Sequence, residues 1–221
     1  MDDLKCMGIR VFTIFVWSLG VGTQFAKADL PKGFEGKNLE LVERGQIVTE
    51  GGKDTSQEYS VTLRALIRRA KTVDYIRLIT PTDEYHHINP DVVISSTKSD
   101  GDLIHGTYQM DVKVYYGHIP VTLYATVSRT VEQDANETRI IQSYIFDGFE
   151  EWLEPIVETT HIVTDSEHPE IGIYVSDQVD IHLKKPPINA RMMKDELTLT
   201  FTKLLAGYKT KLDGEVVVIK K

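Results

Sequence analysis

Between Leu103 and Tyr116 the side chains alternate without a break. Ile104, Gly106, Tyr108, Met110, Val112, Val114 and Tyr116 make one row; Leu103, His105, Thr107, Gln109, Asp111, Lys113 and Tyr115 make the other. Successive side chains of a strand point to opposite faces, so one face is apolar and covered while the other is mostly polar and wet. A one-residue slip would turn the whole apolar row to water, so the register is strongly specified. This stretch asks for a long antiparallel strand with something packed along one side.

The same period returns along the chain. Val61, Leu63, Ala65 and Ile67 alternate, as do Val121, Leu123, Ala125 and Val127, and further strands are expected at Thr138–Phe146 and near 155–163 and 171–184. Turns are expected at Ser99–Asp102 and in "EQDANE". One row holds an oddity: Asp177 interrupts Ile171, Ile173, Val175, Val179, Ile181 and Leu183. If the strand is unbroken, a carboxylate points into an apolar interior and needs a partner or a raised pKa. A bulge or turn at Ser176–Gln178 would instead put it in water, in keeping with Ser-Asp turn chemistry.

Two places change period. Val73, Ile76 and Ile79 fall at helical spacing behind Thr72. A second start follows, with Thr80 as N-cap, Pro81 in the first turn and Asp83 and Glu84 suiting the helix dipole, and Pro90 ends it. The spacing predicts two short helices end to end, with His86 and His87 on the second. Neighbours on a helix point about 100° apart, so the two imidazoles do not make a metal pair, and no H-x-x-x-H spacing occurs. No metal site is expected. Near the C-terminus, Met193, Leu197, Leu204 and Tyr208 fit one helix face with Phe201 beside it, although Leu197, Leu199 and Phe201 also alternate and the threonines favour strand. The high helix propensity of "ARMMKDEL" and Gly214 beyond the end predict a long helix over Asn189–Leu212.

The first 28 residues read as a leader. Lys5 and Arg10 precede the twelve-residue apolar run "VFTIFVWSLGVG", too short to span a bilayer comfortably, and Ala26-Lys27-Ala28 has the small-x-small form of a cleavage site. Removal takes three of the 25 basic and two of the 33 acidic residues, leaving 22 against 31 and a formal charge of −9. A chain this acidic repels phosphate backbones, so nucleic acid is not expected as a partner. The only cysteine, Cys6, leaves with the leader, so the mature chain has no disulfide and no thiolate ligand. A periplasmic or secreted protein is expected, with no membrane span in the mature chain. Residues 29–56 form a polar N-terminal extension with a strand-like piece at Leu39–Val48 and a loop at Glu50–Gln57. Residues 57–213 form the domain and 214–221 a tail.

The order of elements, and the stretch "VTLRALIRRAKTVDYIRLITPTDEYHHINPDVVISS" (Val61–Ser96) with the helix near Asn189–Leu212, resemble the START-like helix-grip superfamily, which includes polyketide cyclase-like and coenzyme Q-binding-like proteins. Ile76 and Leu78 stand near that family's apolar pair, Asp83 and Tyr85 near its acidic and aromatic positions, and Pro90 at its closing proline. The resemblance covers roughly residues 58–212. It implies an α+β fold in which a curved antiparallel sheet of about six to seven strands wraps a long C-terminal helix, with two short helices after the first strand. It also implies a cavity between sheet and helix for an apolar molecule such as a lipid, isoprenoid or quinone. Tyr108, Met110, Tyr116, Val121 and Leu123 would line it, Met193, Leu197 and Leu204 would close it, Tyr85 and His86 would stand at its rim, and Asp177 would anchor a head group. The same row of large side chains could equally fill a core.

The alternative is a cyclase- or hydrolase-type enzyme using Asp177, His161 or His86 in that cavity. No G-x-S-x-G, phosphate-cradling glycine loop or dinucleotide fingerprint is present, and no cofactor is expected.

Overall fold

The computed structural model describes residues 30, 33–80, 86–102, 104–116, 118–135, 137–166, 168–185, 190–217 and 219. The expected leader lies outside them, as do Tyr85 and the side chains of His86 and Tyr116. The strands are β1 (Val48–Asp54), β2 (Glu58–Arg68), β3 (His86–Asn89), β4 (Val92–Gly101), β5 (His105–Tyr116), β6 (Ile119–Gln133), β7 (Glu137–Phe146), β8 (Ile156–Thr164) and β9 (Gly172–His182). The helices are α1 (Gly36–Glu43), α2 (Thr72–Ile79) and α3 (Ala190–Asp213). All nine strands join one antiparallel sheet in the order β1-β2-β9-β8-β7-β6-β5-β4-β3. From β3 onward each strand lies beside the next, and β2 closes back on β9 over its whole length, from Glu58 opposite His182 to Arg68 opposite Gly172. The chain crosses from the β2 side to the far edge between β2 and β3, through α2.

The sheet is curved and wraps α3. Its inner face carries the expected rows: Val61, Leu63, Ala65 and Ile67 on β2, Met110 and Val112 on β5, and Ile173, Val175, Val179 and Ile181 on β9. They pack with Tyr75, Ile76 and Ile79 of α2 and with Phe201, Leu204 and Leu205 of α3 in a single core. A smaller cluster lies on the outer face, where Phe34 and Val42 of the α1 region cover Leu66 and Tyr174. Phe34 and Tyr174 meet edge to face with ring centres 5.5 Å apart. Among the described residues, no helix is long and apolar enough to cross a membrane.

The strand count exceeds the expected six to seven, and the surplus lies at the two edges. β1 occupies residues expected as a loop. All its residues but Val48 are exposed, so it shows no apolar alternation; backbone pairing to β2 holds it. β3 replaces the expected second helix at its C-terminal part. His86 pairs with Ile94 and His87 with Val93, while Thr80 ends α2 in extended backbone. Residues 81–85 of that expected helix lie outside the described residues; from His86 on, strand pairing and the burial of Ile88 under α3 set the backbone. Leu39–Val48 also differs from expectation: it is helical through Glu43, because Leu39 and Val42, one turn apart, both meet the Phe34–Tyr174 cluster. The turn expected at Ser99–Asp102 falls slightly later, since Gly101 still pairs with Gly106 and the Asp102 carboxylate accepts the backbone N–H groups of Ile104 and His105 at 2.7 and 2.8 Å.

Helix α3 runs for 24 residues despite its threonines. The hydroxyls of Thr198, Thr200, Thr202 and Thr210 each donate to the carbonyl four residues back at 2.8–2.9 Å, so these side chains are satisfied within the helix. The helix touches β2 on one side and β3 on the other. At its end the fully buried Lys209 ammonium is held by Asp213 and by Glu215 at 2.8 Å, and Glu215 also pairs with Arg68 of β2 at 3.3 Å. On the opposite flank Gly207 lies against β3: a Cβ there would overlap both the side chain and the carbonyl oxygen of Ile88.

Alanine favours a helix interior over glycine by about 1 kcal/mol. Gly207→Ala should nevertheless destabilise the protein by about 1–3 kcal/mol, because the added methyl pushes α3 off β3. Urea unfolding monitored by circular dichroism would show a lower midpoint; a raised midpoint would mean the close approach is not required.

Candidate functional site

The inner face of the sheet is apolar except for one band. Ala125, Val127 and Val131 on β6 are interrupted by Arg129; Ile140 on β7 is followed by Gln142 and Tyr144; Ile156 and Ile162 on β8 flank Glu158 and Thr160; and β9 carries Asp177. Register stacks these interruptions. Arg129 lies opposite Gln142, Gln142 opposite Glu158, and Thr160 opposite Asp177. All are buried, Asp177 at 3% and Glu158 at 7% exposure. The strand carrying Asp177 is unbroken, with Ser176 and Gln178 paired on both sides, so the turn alternative is excluded and the carboxyl points inward.

Two carboxyls in an apolar interior must share protons or find donors. Thr160 donates to Asp177 at 3.1 Å, and the Tyr144 hydroxyl donates to Glu158. Burial raises the Asp177 pKa well above the usual carboxylate range, and the adjacent Glu158 raises it further. Burial also raises Glu158, offset in part by hydrogen bonds from Asp177 and Tyr144 and by the Arg129 charge. The two carboxyls therefore titrate as a pair and hold a proton between them above the usual carboxylate range. The Arg129 guanidinium donates to the Thr80 hydroxyl and to the Ile79 carbonyl, placing a cation at the negative end of α2. Its Nε has no partner among the described residues. Tyr75 and Tyr208 meet edge to face above the band, 5.8 Å apart, and burial holds both phenols protonated.

Two adjoining spaces open between sheet and helix. The outer is an open cleft of about 200 Å³, walled by Val114, Val121, Leu123, Phe146, Phe149 and Leu153 and roofed by Met193, Leu197 and Thr200, with Glu196 its one charged wall residue. The inner is a small cavity of about 30 Å³ among Met110, Val112, Gln142, Tyr144, Phe201, Leu204 and Tyr208. Leu123, Phe146 and Thr200 border both and form the partition.

Of the residues expected from sequence to contact a ligand, Leu123, Met193 and Leu197 line the cleft together with Val121, and Met110 and Leu204 line the inner cavity. Tyr108 is buried elsewhere: its hydroxyl donates to the Asp102 carbonyl at 2.7 Å and its ring faces the Arg129 guanidinium at 5.2 Å. Asp177 lies behind the inner cavity rather than in its wall. His87 is exposed on β3, and His161 lies with Glu137 in a groove on the outer face, away from the cleft. Trp152 is half exposed beside Lys185. Sequence reasoning missed Arg129, Gln142, Tyr144 and Glu158. Each is, like Asp177, a polar residue in an apolar row, and three such rows in successive strands were visible before any pairing was known. Among the described residues no group of three or more His, Cys, Asp or Glu side chains could hold a metal ion.

Because folded Asp177 holds its proton to higher pH than the unfolded chain, the folded state carries the extra proton above the ordinary aspartate pKa. Stability from this group is therefore greatest in acid and declines as pH rises toward the folded pKa, by at most about 1.4 kcal/mol per pH unit. Asp177→Asn keeps a donor to Glu158 and removes that decline. Thermal unfolding between pH 5 and 8 should show the variant gaining on the parent as pH rises; parallel curves would contradict the protonated pair.

No family model matches the chain, and no curated protein matches it. Solved structures similar to it include Ara h 8.0201, at 14% identity, covering 72% of this chain and 99% of that one with a TM-score of 0.46. A START superfamily protein from Mycobacterium smegmatis matches at 15% identity over 72% of this chain and 98% of its own, with a TM-score of 0.43. A truncated norcoclaurine synthase from Thalictrum flavum matches at 12% identity over 75% and 94%, with a TM-score of 0.41.

Proposed function

We propose that this protein binds an apolar small molecule, of the lipid, isoprenoid or quinone kind, in the cleft between the sheet and the N-terminal half of α3. The observation that carries the reading is the cleft itself: nearly all its wall is hydrocarbon, yet it opens to water, leaving Val121 43% and Phe149 44% exposed. Apolar surface kept wet in the free protein is a standing driving force for binding, at roughly 25 cal/mol per Å² covered. The volume suits a ring or a short chain, so a longer isoprenoid would leave part of its length along the open side. The leader expected at residues 1–28 and the absence of cysteine from the mature chain support a protein that does this after export.

A second reading, acid–base chemistry of the cyclase or hydrolase kind, is favoured by the Asp177–Glu158 pair. The pair does not line either space, so a substrate would exchange protons with it only through Tyr144, which borders the inner cavity and donates to Glu158.

The neutral fluorophore N-phenyl-1-naphthylamine should bind the purified protein saturably, with enhanced emission. Leu197→Trp, which fills the cleft from α3, should weaken binding by about tenfold or more while leaving the far-ultraviolet spectrum unchanged, since the residue is only partly buried. Non-saturable emission, or unaltered affinity in the filled variant, would refute the cleft as the binding place.

A further inference from the structure

Gln142 is 5% exposed, lines the inner cavity, and makes no hydrogen bond with any described residue. A buried primary amide carries two donors and an acceptor that ordinarily find partners, and an exception calls for an explanation. Its cross-strand neighbours do not supply one. Arg129 is turned to Thr80 and Ile79, and Glu158 accepts from Tyr144 and is paired with Asp177. The partition offers no competing group either, because the Thr200 hydroxyl donates to the Glu196 carbonyl at 2.9 Å. Among the described residues, the open polar functions in the cavity wall are the Gln142 amide and the Tyr208 hydroxyl, and of the two the amide carries more donors.

The neighbouring charges narrow what can meet it. Glu158 and Arg129 lie on either side of Gln142, so their charges offset one another for an ion entering here, and a carboxylate or an ammonium would shed its water among hydrocarbon walls without a net compensating charge. Building on the apolar-ligand reading, we propose that the inner cavity receives the uncharged hydrogen-bonding end of the ligand, a hydroxyl or carbonyl oxygen, on the Gln142 amide, while the apolar body occupies the outer cleft.

Displacement of N-phenyl-1-naphthylamine by compounds of one chain length tests this: n-octane, 1-octanol, 2-octanone, octanoate and octylammonium. The alcohol and ketone should displace the fluorophore about 3- to 10-fold more tightly than the alkane, the worth of one hydrogen bond, and the two ions should be weaker than the alcohol. Gln142→Leu and the near-isosteric Gln142→Met should abolish the advantage of alcohol over alkane and leave alkane binding intact. In the unaltered protein, the side-chain amide resonances of Gln142 should shift with 1-octanol and stay in place with octane, a readout that needs no variant. Equal affinity for octane and octanol, an advantage retained without Gln142, or unmoved amide resonances would overturn the assignment and leave the cavity a seat for resident water, with the cleft reading intact. Failure of every compound, the alkane included, to displace the fluorophore would instead remove the cleft reading and this inference with it.

Discussion

An antiparallel sheet that carries one apolar face and does not close on itself cannot stand without a lid, and α3 is that lid. It is gripped from both ends of the strand order, against β2 through Tyr59, whose hydroxyl is 2.9 Å from that of Thr198, and against β3 through the close approach at Gly207. The Lys209–Asp213–Glu215–Arg68 network fixes the helix end on the β2 side. Buried ion pairs of this kind contribute less to net stability than to a unique arrangement, because desolvation offsets most of the attraction. On the β1–β2 side the helix is held along its length, because Thr198 and Lys194, whose ammonium donates to Asp54 at 2.7 Å, belong to its N-terminal half, whereas against β3 it is held at its C-terminal half. The cleft opens on the side of the N-terminal half away from β2, toward β5, β6 and β7.

The polar band follows from the same geometry. Residues that interrupt apolar rows on four neighbouring strands meet because antiparallel register brings them opposite one another, and Arg129 is tied to the end of α2 by hydrogen bonds. Within the band both carboxyls have a donor, while the Gln142 amide and the Arg129 Nε are left without a partner among the described residues. A polar network inside a core is favourable only when filled, so the open amide marks the point at which the interior is incomplete by itself.

Much of the scaffold was legible in the amino-acid order. Strands with one covered face announce themselves, and the rows containing Met110, Val127 and Val175 all fall where alternation puts them. The edges were opaque for a physical reason: β1 is exposed on both faces, and β3 is four residues long, so neither has an apolar pattern to read. The threonines of α3 sent a strand signal that the helix cancels locally by donating each hydroxyl to its own backbone. At the site, Leu123, Met193 and Leu197 were legible as apolar positions facing the helix–sheet gap. Asp177 was legible as an anomaly but its setting was not, because whether a lone carboxylate in a strand turns inward depends on Glu158 and Thr160, which lie far along the chain and become its neighbours only when β8 pairs with β9.

The pairing of β2 with β9 has a consequence for how such a chain is made. Val61 waits for Val179, and α3 follows later still. Until α3 has been synthesised, the nascent molecule can form the hairpins from β3 to β9 but has nothing to shield their oily side. Such long-range closure is slow and leaves an adhesive intermediate, so production of this protein is expected to depend on whatever restrains premature association until α3 arrives.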